Sequence, residues 1–79
     1  MINVLFFGPV AQSTGTAMLQ VEYKPNQSLQ MLRDELAVKY PQAFEIVCLT
    51  AVNGEHVRNL ALPLTDGSEV VFMSKFSGG

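Results

Sequence analysis

The two ends of the chain carry segments that are apolar on both sides, and this limits how the chain can fold. Ile2-Asn3-Val4-Leu5-Phe6-Phe7 is stopped by Gly8-Pro9, and Glu69-Val70-Val71-Phe72-Met73 follows the turn residues Thr65-Asp66-Gly67. Both are short, rich in β-branched and aromatic residues, and bounded by breakers, so both read as strands. Successive side chains of a strand face opposite ways. Ile2, Val4 and Phe6 therefore oppose Leu5 and Phe7, and Val70 and Phe72 oppose Val71 and Met73. Strands without a wet face belong in the middle of a sheet. The first and last strands are expected side by side.

The segments between them supply the rest of one small domain. Residues 10–15 read as a loop or a short helical turn closed by Gly15. Residues 17–23 alternate Leu19, Val21 and Tyr23 against Gln20 and Glu22, the pattern of a half-buried strand. Pro25-Asn26 turns the chain. Leu29, Leu32, Leu36 and Tyr40 recur at helical spacing behind Ser28, a good N-cap, and Pro41 ends that helix. Residues 46–52 read as a strand, Asn53-Gly54 as a two-residue hairpin turn, and 56–58 as a short return strand. The expected fold class is α+β, a β-grasp with a mixed four- to five-stranded sheet and one main helix on one face. The domain is assigned to residues 1–73 and a flexible tail to 74–79.

A single helix covers one face of such a sheet. Some of Leu5, Phe7, Val71 and Met73, or their opposite set, are therefore expected to be exposed as a docking surface beside the tail. The alternative is that residues 41–45 and 59–64 fold back over that face.

Seventy-nine residues bury only roughly 60% of their unfolded surface, which leaves no room for a deep catalytic cleft. A hydrophobic fraction of 48% argues against disorder, and a net charge of −2 with scattered lysines and arginines argues against nucleic acid as a partner. A lone cysteine, Cys48, allows no internal disulfide, so a cytoplasmic location is expected. Neither a signal peptide nor a membrane span is expected. Cys48, between Val47 and Leu49 in a strand, is expected to be buried and structural. His56, the one histidine, is expected at the surface near the docking face rather than in a metal site. Asp66 and Glu69 read as solvated charges.

The sequence ends in Ser77-Gly78-Gly79. Glycine is a poor choice for a packed terminus, but a segment without side chains is narrow enough to thread into another protein's active site. Its carboxylate, with a pKa of about 3.5, is ionised at neutral pH and is a poor electrophile until it is activated. Residues 74–79 reach at most about 20 Å when extended. Phe76 either anchors the tail at the mouth of a partner's tunnel or folds back on its own sheet.

Taken together, Ile2-x-Val4-Leu5-Phe6-Phe7, Ala51-Val52-Asn53-Gly54-Glu55, Pro63-Leu64-Thr65-Asp66-Gly67-x-Glu69-Val70 and Ser77-Gly78-Gly79 resemble the molybdopterin synthase small subunit family (molybdopterin-converting factor subunit 1), which are ubiquitin-like sulfur carriers. Ser68 stands where that family has an acid, and Ser74-Lys75-Phe76 where it has Pro-Pro-Val. The resemblance implies a non-catalytic sulfur-donating subunit of a heterotetrameric synthase, with no bound cofactor. An ATP-dependent ubiquitin-activating-like adenylyltransferase would convert Gly79 to an acyl adenylate, and a sulfur donor would turn that into a thiocarboxylate. The tail, with Gly78 kept narrow, would enter the synthase large subunit and pass sulfur to the pyranopterin precursor of molybdopterin. Phe7, Met73, His56, Phe76 and Ser77 are the residues expected to touch partners. A carrier for thiamine or another sulfur pathway, a protein modifier, and a non-catalytic β-grasp binding module are the alternatives.

Overall fold

The computed structural model describes residues 1–75. They form β1 (Ile2–Phe6), α1 (Pro9–Thr14), β2 (Met18–Val21), α2 (Leu29–Lys39), α3 (Pro41–Ile46), β3 (Val47–Val52), β4 (Glu55–His56) and β5 (Glu69–Ser74). The strands make one five-stranded sheet in the order β2-β1-β5-β3-β4. β1 and β5 are parallel neighbours, in the register Val4 to Val70 and Phe6 to Phe72, and the other pairings are antiparallel. The α+β mixed sheet and the central placing of the two terminal strands are as expected.

Local chemistry explains most of the boundaries. The Ser28 Oγ accepts a hydrogen bond from the Met31 N–H at 3.2 Å and so caps α2. Two further N–H groups at that end, those of Leu29 and Gln30, donate to Leu62 O at 2.9 Å and Leu60 O at 2.8 Å. The 59–64 segment is thus tied to the start of α2, on the helical side of the sheet. Asn53 and Gly54 both hold positive φ, 51° and 85°, the backbone of a tight turn whose twist matches the strands it joins.

Residues 41–46 depart from expectation. Pro41 does end α2, but it also opens α3 from its first helical position, where its missing N–H costs nothing. Ile46 is the last residue of α3 and not the first of β3. α3 carries Ala43 and Phe44 into the core, so this segment also lies on the helical side.

That core is built on Ile2, Val4 and Phe6 of β1 and Val70 and Phe72 of β5, covered by Leu29, Leu32 and Leu36 of α2 and by Val10, Phe44 and Leu64. Its centre is aromatic. The rings of Phe6 and Phe72 stack with centroids 6.1 Å apart, and Phe44 meets Phe72 edge-on at 5.0 Å. Tyr40 meets Phe6 edge-on at 5.9 Å.

At the start of β5 the 65–68 turn is closed by Ser68. Its Oγ accepts from the Thr65 N–H at 3.0 Å and lies 3.0 Å from Thr65 Oγ1. Ser68 is buried, and its neutral hydroxyl places no charge at this position. The Met1 ammonium donates to Asp66 Oδ1 at 2.5 Å, and the Gly67 N–H donates to Met1 O at 3.0 Å. Asp66 is a solvated charge, as expected, and it also takes part in a surface ion pair.

Phe72→Ala is expected to cost about 3–5 kcal/mol of unfolding free energy in a urea titration, because it removes the shared partner of Phe6 and Phe44. The Asp66 carboxyl is held below its ordinary value of 3.8, first by the hydrogen bond from the Met1 ammonium and then by its charge. A depressed folded pKa stabilises above the unfolded value, and the contribution fades as pH falls through the folded one. The Tm difference between the native chain and Asp66→Asn is therefore expected at neutral pH, to close on acidification, and to shrink in high salt.

Candidate functional site

Strand alternation and register place a continuous row of side chains on the face away from the helices: Met18, Leu5, Val71, Ala51 and His56, one from each strand. Met73 and Leu49 pair in the next row, toward the end of β5, and Phe7 follows β1 there. The row on the other side is polar, with Gln20, Asn3 and Glu69 in register. Gln20 Nε2 donates to Asn3 Oδ1 at 2.9 Å, and the Glu69 N–H donates to Asn53 Oδ1 at 2.9 Å. The open face is therefore amphipathic along its strands, wet where β5 begins and apolar where β5 ends.

Phe7 is 47% exposed, Met18 61% and Leu49 40%, while Leu5 and Met73 are half-buried. Val71 departs from expectation. It is only 7% exposed, because Leu5 and Ala51 flank it on adjacent strands of a central position. The other occupants of this face, Met18, Leu49 and Ala51, escaped the sequence reading. Nothing in their local pattern marks them, since only the pairing register assigns them to this side.

The structure brings Phe7, Met73 and His56 to one face. Phe76, Ser77, Gly78 and Gly79 lie outside the described residues. Cys48 overturns its expectation: it is exposed. Val47 pairs with Ser74 and Leu49 with Met73, which leaves Cys48 as an extra residue in a β-bulge. β4 reaches only Ala51 and Val52, so this part of β3 also lacks a β4 neighbour. Cys48, His56 and Arg58 line a small depression of about 170 Å³ beside Leu49, Thr50 and Val57. No group of three His, Cys, Asp or Glu placed to hold a metal ion occurs among the described residues. No helix among them is long and apolar enough to cross a membrane.

A mixed five-stranded sheet with its helices on one face is the ubiquitin-like β-grasp fold. The sequence profile of the ThiS family matches residues 4–79, and the chain belongs to this family of ubiquitin-like sulfur carriers. No curated protein sequence matches it significantly. Several solved structures share its fold. Small archaeal modifier protein 1 of Haloferax volcanii superposes with a TM-score of 0.81 at 19% identity, covering 99% of this chain and 98% of that one. A protein assigned as molybdopterin converting factor subunit 1 from Pyrococcus furiosus gives 0.82 at 22%, covering 92% and 94%. A chain from the complex of subunits 1 and 2 of the Helicobacter pylori molybdopterin-converting factor gives 0.73 at 28%, covering 99% and 97%.

The exposure of Cys48 is directly measurable. In native buffer a thiol reagent such as Ellman's is expected to titrate one thiol per chain at the rate of an open cysteine, with no change on adding denaturant. A thiol that reacts only after unfolding would contradict the bulge.

Proposed function

We propose that this sulfur carrier serves as the sulfur-donating small subunit of a molybdopterin synthase, with the Gly79 carboxyl group as its reactive end. The observation that carries this reading is the open sheet face that becomes apolar toward the end of β5, the strand that leads into residues 76–79. It supports a division of labour in which the sheet docks and the tail reacts. Membership of the ThiS family supports the carrier chemistry. The likeness to a protein that forms a complex with a second converting-factor subunit, together with the matching turn and hairpin motifs, supports the pterin destination.

The chemistry runs in balanced steps. The carboxylate oxygen attacks the α-phosphorus of ATP, giving the acyl adenylate and releasing pyrophosphate. A donor persulfide attacks the activated carbonyl through its outer sulfur and expels AMP, and a thiol reductant then cleaves the S–S bond of that acyl disulfide, releasing the thiocarboxylate and leaving donor and thiol joined as a disulfide. Activation splits one hard acyl substitution into two easier ones. The sulfur of the thiocarboxylate then attacks a side-chain carbon of the pyranopterin precursor on the large subunit and displaces an oxygen there, water cleaves the acyl–sulfur bond to return the Gly79 carboxylate, and two rounds supply the two sulfurs of a dithiolene. Leu5, Phe7, Met18, Leu49 and Met73 provide the apolar contact that holds the carrier while the tail is inserted. His56 stands at the border of that contact, at the edge of the sheet.

Incubation with its activating enzyme, ATP and a sulfur donor is expected to raise the mass of the intact chain by about 16 Da, oxygen replaced by sulfur. Deletion of Gly79 is expected to abolish the gain without changing the circular dichroism spectrum. An unchanged mass with an active enzyme present overturns the carrier chemistry, and an isopeptide adduct through Gly79 in its place makes the chain a modifier. Leu49→Lys is expected to leave the Tm within about 1 °C, since the site is exposed. The same substitution is expected to weaken binding to the synthase large subunit at least tenfold by calorimetry.

A further inference from the structure

Charge is distributed unevenly around the apolar end of the open face. On one side there is none: from Ile2 to Val21, through β1, α1 and β2, the chain carries no ionisable side chain. On the other side there are two cations. The Val57 N–H donates to Thr50 O at 2.9 Å and holds the chain against β3 past the end of β4. Arg58 follows, exposed, and shares the depression of about 170 Å³ with Cys48 and Leu49. Lys75, also exposed, follows β5 and shares a second depression, of about 320 Å³, with Cys48. Cys48 lines both, which places the guanidinium and the ammonium at one corner of the face, where β3 begins and β5 ends. Among the described residues no aspartate or glutamate lines either depression. The carboxylates of the sheet gather at the opposite pole. Glu69 is the first residue of β5, Glu55 the first of β4, Asp66 lies in the turn before β5, and Glu22 follows the Ile2–Val21 pair. Glu45 and Lys39 lie with the helices, on α3 and α2.

We infer that the open face docks on a protein surface that is apolar at its centre and carries aspartate or glutamate side chains along one margin only, the margin that meets Arg58 and Lys75. Apolar burial is non-directional, so by itself it leaves the rotation of the docked sheet loosely set. A cationic margin opposite a neutral one fixes that rotation. A turned approach would bury the partner's carboxylates against the uncharged Phe7 and Met18, with nothing to pair them. The carboxylates at the far pole add to this, because an acidic margin repels them and so orients the molecule before contact. The last described residue, Lys75, is itself one of the two cations. The rotation that satisfies the charges therefore also sets where the chain enters its partner.

The inference rests on the proposed function for the identity of the partner, the synthase large subunit. Association of the full chain with that subunit is followed by stopped flow between about 50 and 500 mM sodium chloride. The association rate constant is expected to fall about fivefold over that range. Arg58→Glu and Lys75→Glu are each expected to lower it about tenfold at the lowest salt and to flatten its dependence on salt. Lys24→Glu makes the same change in net charge beyond the end of β2, at the wet pole, and is expected to alter the rate less than about twofold. All three side chains are exposed, so the circular dichroism spectrum is expected to stay unchanged. A rate independent of salt, an equal loss in Lys24→Glu, or faster association of Arg58→Glu overturns the inference and leaves the proposed function standing. Failure of the large subunit to bind at any ionic strength overturns the proposed function, and the inference falls with it.

Discussion

The stacked rings of Phe6 and Phe72 fix the arrangement on which the rest of this molecule depends. They sit directly across from one another on two parallel strands drawn from opposite ends of the sequence. Parallel neighbours cannot be joined by a tight turn, so the intervening chain must cross over, and in doing so it lays α2 and α3 on the side where those rings point. Phe44 and Tyr40 close on the rings edge-on from that side. The same alternation sends Leu5, Val71 and Met73 the other way, onto a surface that no described helix covers. Core and open face are thus two outcomes of one strand pairing.

Features held by short-range chemistry were legible in the sequence. The Ser28 cap, the Asn53-Gly54 hairpin, the Leu29/Leu32/Leu36 stripe and the doubly apolar terminal strands each follow from a few adjacent residues. What escaped depends on distant partners. Pro41 was legible as a stop, but the six-residue helix it opens exists because Phe44 has Phe72 to pack against. Cys48 has apolar neighbours on both sides, and only the slip in register between β3 and β5 expels it to the surface. Met18, Leu49 and Ala51 are assigned to the open face by the pairing of their strands. Parity along each strand was enough to set Leu5 and Phe7 against Phe6, and Val71 and Met73 against Phe72, while Gly78 and Gly79 lie outside the described residues.

The open face is divided along its strands. Polar side chains around Asn3, Gln20 and Glu69 keep one half wet, while Phe7, Leu49 and Met73 leave the other half apolar where β5 ends. On the proposed function, the apolar half is the one a partner would cover, and the packed aromatic centre behind it would keep the sheet rigid.

Because β1 and β5 run the same way, the first residue of the chain and the exit of its last strand lie at opposite poles of the sheet, separated by roughly 20 Å of strand. An affinity handle or fluorescent protein fused ahead of Met1 would therefore sit remote from any enzyme working on the far pole. It would sacrifice the ammonium that holds Asp66 while leaving the pole where β5 ends unobstructed.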